Sequence, residues 1–189
     1  GGTFYHVKNK TNDIFNLQIK FKTGKINDNR YEQLAEYIQL IGTKELSLND
    51  FNSELQKIGC SFYVSADDNY FTINIDGFDK YFKESLTLIA ALLTNPAADD
   101  SKLKNLKQNA AFLRKFESSS PDQLSDALFE YGVYGQNSSY LRRCTQKEVS
   151  SLKSQDLLDL LATTLKANYS VHYSGTLNIK DLISSFESN

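Results

Sequence analysis

The chain has 189 residues, with 21 basic and 23 acidic side chains and a formal net charge of -2. That length supports one domain with a real hydrophobic core, and with this near-balanced charge nothing points to nucleic acid. No apolar run approaches the roughly 20 residues that a membrane-spanning helix needs.

Gly1-Gly2 reads as a cloning remnant, and residues 1–189 as a single domain excerpted from a longer, multi-domain chain. Thr3 to Val7 reads as a short strand, followed by polar turn residues from Lys8 to Asp13. Phe15, Leu17, Ile19 and Phe21 then alternate with Asn16, Gln18, Lys20 and Lys22. This period of two predicts a strand with one buried and one wet face, and the lysines are that wet face rather than a binding strip.

Residues 28–43 predict an amphipathic helix with Tyr31, Leu34, Ile38 and Ile41 on one stripe. Asp28 or Asn29 is placed to cap it, and Gly42 to end it in a left-handed conformation. A second helix starts at Ser47, with Asp50 three residues on and Leu46 and Phe51 spaced as a hydrophobic staple. Its inner stripe is Phe51, Leu55 and Ile58, and Gly59 ends it.

Phe62, Val64 and Ala66, and then Phe71, Ile73 and Ile75, mark two strands. Asp67-Asp68-Asn69 joins them as a β-hairpin turn that needs no cation. A third long helix is expected from Asp79, with Phe82, Leu86, Ile89 and Leu93 inside, stopped by Asn95-Pro96. Another opens at Asp99-Asp100-Ser101, with Leu103, Leu106, Ala110 and Leu113 predicted inside and Lys102, Lys104, Lys107, Arg114 and Lys115 solvated.

Pro121 restarts a helix carrying Leu124, Leu128 and Tyr131. The tyrosine-rich stretch Tyr131 to Tyr140 reads as a loop, a lid on the core in preference to a contact surface. Thr145 and Glu148 have the spacing of a capping box ahead of Val149 and Leu152. Leu157, Leu158, Leu161 and Leu165 define a helix, Tyr169 to Gly175 a closing strand, and Asn178 to Phe186 a last short helix. The architecture expected is α+β, an antiparallel β-sheet with helices packed on one face.

Catalytic motifs are sparse. There is no P-loop, no G-x-S-x-G and no G-x-G-x-x-G. His6 and His172 are the two imidazoles, and they stand at no ligand spacing. Cys60 and Cys144 read as buried thiols, with a disulfide between them left open by the sequence.

Several stretches together resemble the pitrilysin/insulinase family of zinc metallopeptidases, the inverted zincins, to which the subunits of the mitochondrial processing peptidase are related. A strand ending Phe21-Lys22-Thr23-Gly24 leads to a helix with Leu34-Ala35 and then Gly42-Thr43. A short helix ending in Gly59, a hairpin and a helix follow. Thr145-Gln146-Lys147-Glu148-Val149 and the Tyr169, Val171, Gly175 strand resemble the family's closing segment. In active members, H-x-x-E-H on the first helix binds zinc through its two histidines, and its glutamate is the general base. Those three positions fall here on Glu36, Gln39 and Leu40, and the helix from Ser101 to Phe116 lacks the acidic third ligand.

The resemblance implies the non-catalytic domain of a zinc metalloendopeptidase. This chain alone would be inactive and would hold no cofactor, with zinc in the parent's catalytic half. Its partners would be the other domains of that parent and a peptide substrate, enclosed in a chamber and in relatives added as a strand to the sheet edge. Tyr140, Arg142 and Arg143 are the candidate contacts with substrate or neighbouring domains. The style of the resemblance suggests a bacterial periplasm or cell envelope. The alternative is a non-enzymatic interaction or scaffold domain related to peptidase core subunits.

Overall fold

The computed structural model describes residues 2–187; Gly1, half of the expected cloning remnant, lies outside them. Strand β1 (Thr3–Lys8) and strand β2 (Ile14–Phe21) lead into helix α1 (Tyr31–Ile38) and helix α2 (Leu48–Lys57). The hairpin β3 (Ser61–Ala66) and β4 (Phe71–Phe78) follows, then a 3-10 turn at Asp79–Tyr81 that runs into α3 (Phe82–Thr94). Helices α4 (Asp100–Ser119), α5 (Pro121–Tyr134), α6 (Ser139–Arg142), α7 (Gln146–Ser151) and α8 (Ser154–Thr164) come next. Strand β5 (Tyr169–Gly175) and helix α9 (Ile179–Glu187) complete the order.

The sheet runs β1-β5-β2-β4-β3. Three of its pairings are antiparallel, and β1 with β5 is parallel. The inner face carries Phe15, Leu17, Ile19 and Phe21 from β2, Phe71, Ile73 and Ile75 from β4, and Val171 and Tyr173 from β5, all buried. Against it pack Leu34 and Ile38 of α1, Phe51 of α2, Phe82 and Ile89 of α3, and Leu157 and Leu161 of α8. Alternation follows because successive strand side chains point to opposite faces.

Local signals set most element ends. Ser47 accepts from the Asp50 amide, Asp99 from the Ser101 and Lys102 amides, and Thr145 with Glu148 forms a full capping box. Gly59, at φ +60°, closes α2 where an L side chain would be strained.

The first helix differs from expectation at both ends. Neither Asp28 nor Asn29 caps it; its N-cap is Arg30, without a side-chain bond. Asp28 instead grips Arg30 through the backbone amide and the guanidinium, and Asn29 accepts from the Cys144 thiol. Gly42 is not left-handed. It is needed because a Cβ there would lie 2.3 Å from the Leu46 carbonyl oxygen.

A larger departure concerns α4 and α5. Of the expected inner stripe of α4, Leu103 and Leu106 are buried, Ala110 is half-buried and Leu113 is exposed. Helix α5 has no buried residue, and the tyrosine-rich stretch continues the helix rather than covering the core. Helical periodicity is present in both segments, but nothing among the described residues covers their outer faces.

Hydroxyl groups lock the helices together. The wholly buried Tyr37 accepts from the Asp99 amide at 2.8 Å and donates to the Asp99 carbonyl at 3.3 Å. Tyr31 lies 2.9 Å from the Thr164 hydroxyl, which itself donates to Leu160, and accepts from Thr23. Removing one partner of a buried donor costs about 1–3 kcal/mol. Tyr37→Phe should therefore lower the unfolding free energy by about that amount in urea titrations, with an unchanged m-value.

Candidate functional site

The side of α1 away from its apolar stripe faces α4. Glu32, Gln33 and Glu36 line a narrow cleft of about 70 Å³ against Arg114 and Glu117 of α4, with Arg143 at its rim. Next to it a larger cavity of about 260 Å³ is bounded by Lys25, Glu32, Asp68, Glu117, Tyr140, Arg142 and Arg143, among others. The three side chains expected to make contacts thus share one cavity, and Glu36 lies in the adjoining cleft. Gln39 and Leu40 line neither.

Ion pairs hold this region in shape. Arg143 makes a bidentate pair with Glu117, at 2.9 and 2.6 Å, and its guanidinium lies 5.0 Å from the Tyr140 ring centroid. Arg142 reaches back to Asp68 in the hairpin turn at 2.7 Å. Arg114 donates to the Cys144 carbonyl. The Nε atoms of Arg142 and Arg143 are buried and have no partner in the structure. Planar guanidinium groups suit such bidentate carboxylate contacts.

The charges disturb one another. The hydrogen bond from Arg143 holds the Glu117 carboxyl below its ordinary range. Desolvation in the cleft, with Glu32 beside it, pushes Glu36 up. Desolvation, then the neighbouring Arg143, pulls Arg114 down. Burial moves the Cys144 thiol up to about 11, which keeps it protonated and unreactive.

This donor set does not suit zinc. Leu40 has no ligating atom, and its side chain packs half-buried against the core. The Gln39 amide nitrogen is committed to the Ala35 and Val64 carbonyls at 2.7 and 3.2 Å. Arg114 brings a positive charge to the cleft that holds Glu36. A catalytic zinc needs three protein ligands around an open position, and no group of three His, Cys, Asp or Glu converges among the described residues.

The histidines are structural. His6 bonds the Leu177 carbonyl at 2.6 Å and stacks on Tyr173; His172 stacks on Tyr5 and contacts Ser170 at 3.0 Å. Both cysteines are free and buried. The sequence reading missed Glu32, Arg114, Glu117 and Asp68. The i, i+4 spacing of Glu32 and Glu36 and the i, i+3 spacing of Arg114 and Glu117 mark a shared face on each helix, but not that the two faces meet.

The sequence profile of the insulinase family, peptidase family M16, matches residues 4–146. The chain belongs to this family, and it does so without an H-x-x-E-H motif anywhere in its sequence. No curated protein matches it significantly. Among solved structures, it is similar to a peptidase M16 inactive domain from Pseudomonas fluorescens, with TM-score 0.80, 16% identity, and 97% of this chain and 47% of that one covered. It is similar to a protease from Helicobacter pylori at TM-score 0.79 and 16% identity, over 97% and 46% of the two chains. The periplasmic protease PqqL from Escherichia coli matches at TM-score 0.77 and 9% identity, over 93% and 20%. At these identities the likeness is one of fold. The chain spans about half the length of the first two and a fifth of the third.

Linkage fixes opposite signs for the two perturbed carboxylates. Glu117, lowered below its ordinary 4.5, stabilises the fold above that pH, and the contribution disappears as pH falls through the folded value. Glu36, raised above 4.5, works the other way, favouring the fold as pH falls into its window. Urea titrations across the acid range should therefore show a shallower acid loss of stability in Glu117→Gln and a smaller change of opposite sign in Glu36→Gln, because Glu36 is exposed and screened by solvent.

Proposed function

We propose that this chain is a zinc-free, non-catalytic domain of a zinc metallopeptidase, one that helps to form the substrate-enclosing chamber and contacts the peptide. The observation that carries this reading is the cleft between α1 and α4. On this reading the cleft stands where the family holds its zinc, and it is lined by Glu32, Glu36, Arg114, Glu117 and Arg143, where zinc would need neutral imidazoles and a general base. Glu36, Gln39 and Leu40 are the degenerate motif positions on this reading. The zinc belongs to a catalytic half elsewhere on the same polypeptide, and the partners are that half and the peptide. Function is assigned from the site and not from the fold.

Tyr140, Arg142 and Arg143 are the proposed peptide contacts. Two guanidinium groups on the cavity wall, beside an aromatic ring, can receive peptide carbonyls or an acidic side chain. Strand β3 is a sheet edge next to α1, where an extended peptide can add backbone hydrogen bonds. A periplasmic or cell-envelope location is part of the reading, since PqqL is a periplasmic protease of this fold. The second reading, a scaffold domain of an assembly that cleaves nothing, draws on the same charged cleft and differs in the fate of the parent protein.

Two measurements test the proposal. After zinc loading and dialysis, elemental analysis of this chain should find no retained zinc; one zinc per chain would overturn the placement of Glu36, Gln39 and Leu40. In the full-length polypeptide, zinc-dependent peptide cleavage should be present, and Arg143→Ala should raise KM about tenfold, the worth of one charge-assisted contact. Full-length protein without zinc or peptidase activity would favour the scaffold.

A further inference from the structure

The outer parts of α4 and α5 are unlike the rest of the surface. Most exposed large apolar side chains of the described residues fall between Phe112 and Leu141. Phe112 is 66% exposed, Leu128 70%, Phe129 75% and Tyr134 60%. Helix α5 buries nothing and includes Gly132, which weakens a helix interior. A 14-residue helix is marginal in water unless packing supports it, and a concentration of exposed apolar side chains on neighbouring helices marks an interaction site.

We propose that this face, α5 with the distal half of α4, is the docking surface for a companion domain of the same polypeptide. The inference rests on the reading of the chain as one domain of a larger peptidase-type protein, and it names the surface that makes the contact. Three arguments favour that occupant. First, the area is right. Phe112, Phe116, Phe129, Tyr131 and Tyr134, between 47% and 75% exposed, offer about 100 Å² each, and domain interfaces within a chain bury about 600–1,500 Å². Second, three solved structures of this fold match 97% of this chain with only 47%, 46% and 48% of their own length, so polypeptides with this fold carry as much chain again. Third, α5 exposes Asp122 and Asp126 and has no basic residue, while its remaining acid, Glu130, is bonded to Ser139 at the cavity wall. The surface that faces α5 is therefore apolar in the middle with basic groups opposite those two carboxylates.

The full-length polypeptide provides the test. Cysteines are introduced singly by Phe129→Cys on α5 and by Glu54→Cys on the polar face of α2, where the side chain is 42% exposed, and each variant is labelled with a soluble maleimide. The native thiols, Cys60 and Cys144, are buried and serve as slow references. Labelling limited by domain opening should make the Phe129→Cys variant react at least about 100-fold more slowly than Glu54→Cys. In the unmodified polypeptide, α5 amides should exchange hydrogen as slowly as those of α8, which guards against a substitution that itself loosens the interface. Equal labelling rates together with fast α5 exchange would overturn the proposal. So would protection that vanishes on dilution as sedimentation shifts from dimer to monomer, because a second copy would then be the cover. Zinc content and peptidase activity of the same polypeptide are separate readouts; their absence would sink the functional reading and leave the docking result standing.

Discussion

The distance between α1 and α4 is governed by one buried hydroxyl. Tyr37 takes the Asp99 amide and returns a bond to the Asp99 carbonyl, at the residue whose own carboxylate caps α4. Helix α1 is held from its other end by the Tyr31 hydroxyl, bonded to Thr164 of α8 and to Thr23. Two tyrosines thus register α1 against the helices on either side. With α1 fixed on the sheet by Leu34 and Ile38, the cleft that Glu32 and Glu36 share with Arg114 and Glu117 has a defined width. Buried hydroxyls fully supplied with partners specify geometry in this way, because any shift would leave a donor or acceptor unpaired.

Within that frame the charges compete. Glu117 is drawn toward its ionised form by Arg143, while Glu36 is pushed toward protonation by desolvation and by Glu32. Arg114 loses hydration and sits near a second guanidinium. Two carboxylates displaced in opposite directions within one cleft are the arrangement that acid-base chemistry uses. Among the described residues no group of three metal-binding side chains accompanies them, and Arg143 and Arg142 already occupy Glu117 and Asp68. The cluster is better suited to holding the α6–α7 connection in place and presenting polar groups at the cavity wall than to activating water.

The outward apolar surface of α5 belongs to the same logic. A chain of this size can cover one side of a five-stranded sheet with α1, α2, α3 and α8, and α9 covers its far edge through Leu182. Helix α5 lies beyond that layer. Its side chains repeat with helical period, yet the period says only that one face wants burial and not where the covering surface comes from. The misplacement of Leu113 and of the stretch from Tyr131 to Tyr140 has this single cause.

Much of the architecture was readable without coordinates because it depends on neighbours in the chain. Alternation in β2, β3 and β4, the caps at Ser47, Asp99 and Thr145, and the breaks at Gly59 and Asn95-Pro96 are local interactions, and the structure keeps them. The absence of H-x-x-E-H was likewise written in the residues themselves. What needed the tertiary structure were contacts between residues far apart in sequence. The parallel pairing of β1 with β5, the Arg142–Asp68 pair across 74 positions and the cleft that Glu36 and Arg114 both line each join segments that no periodicity links. The role of Gly42 was also decided there, since a close approach of the Leu46 backbone excludes a side chain where helix geometry alone would have asked for a left-handed turn. Local propensity is encoded within a few residues, whereas the facing of charges and the exposure of α5 are properties of the packed whole.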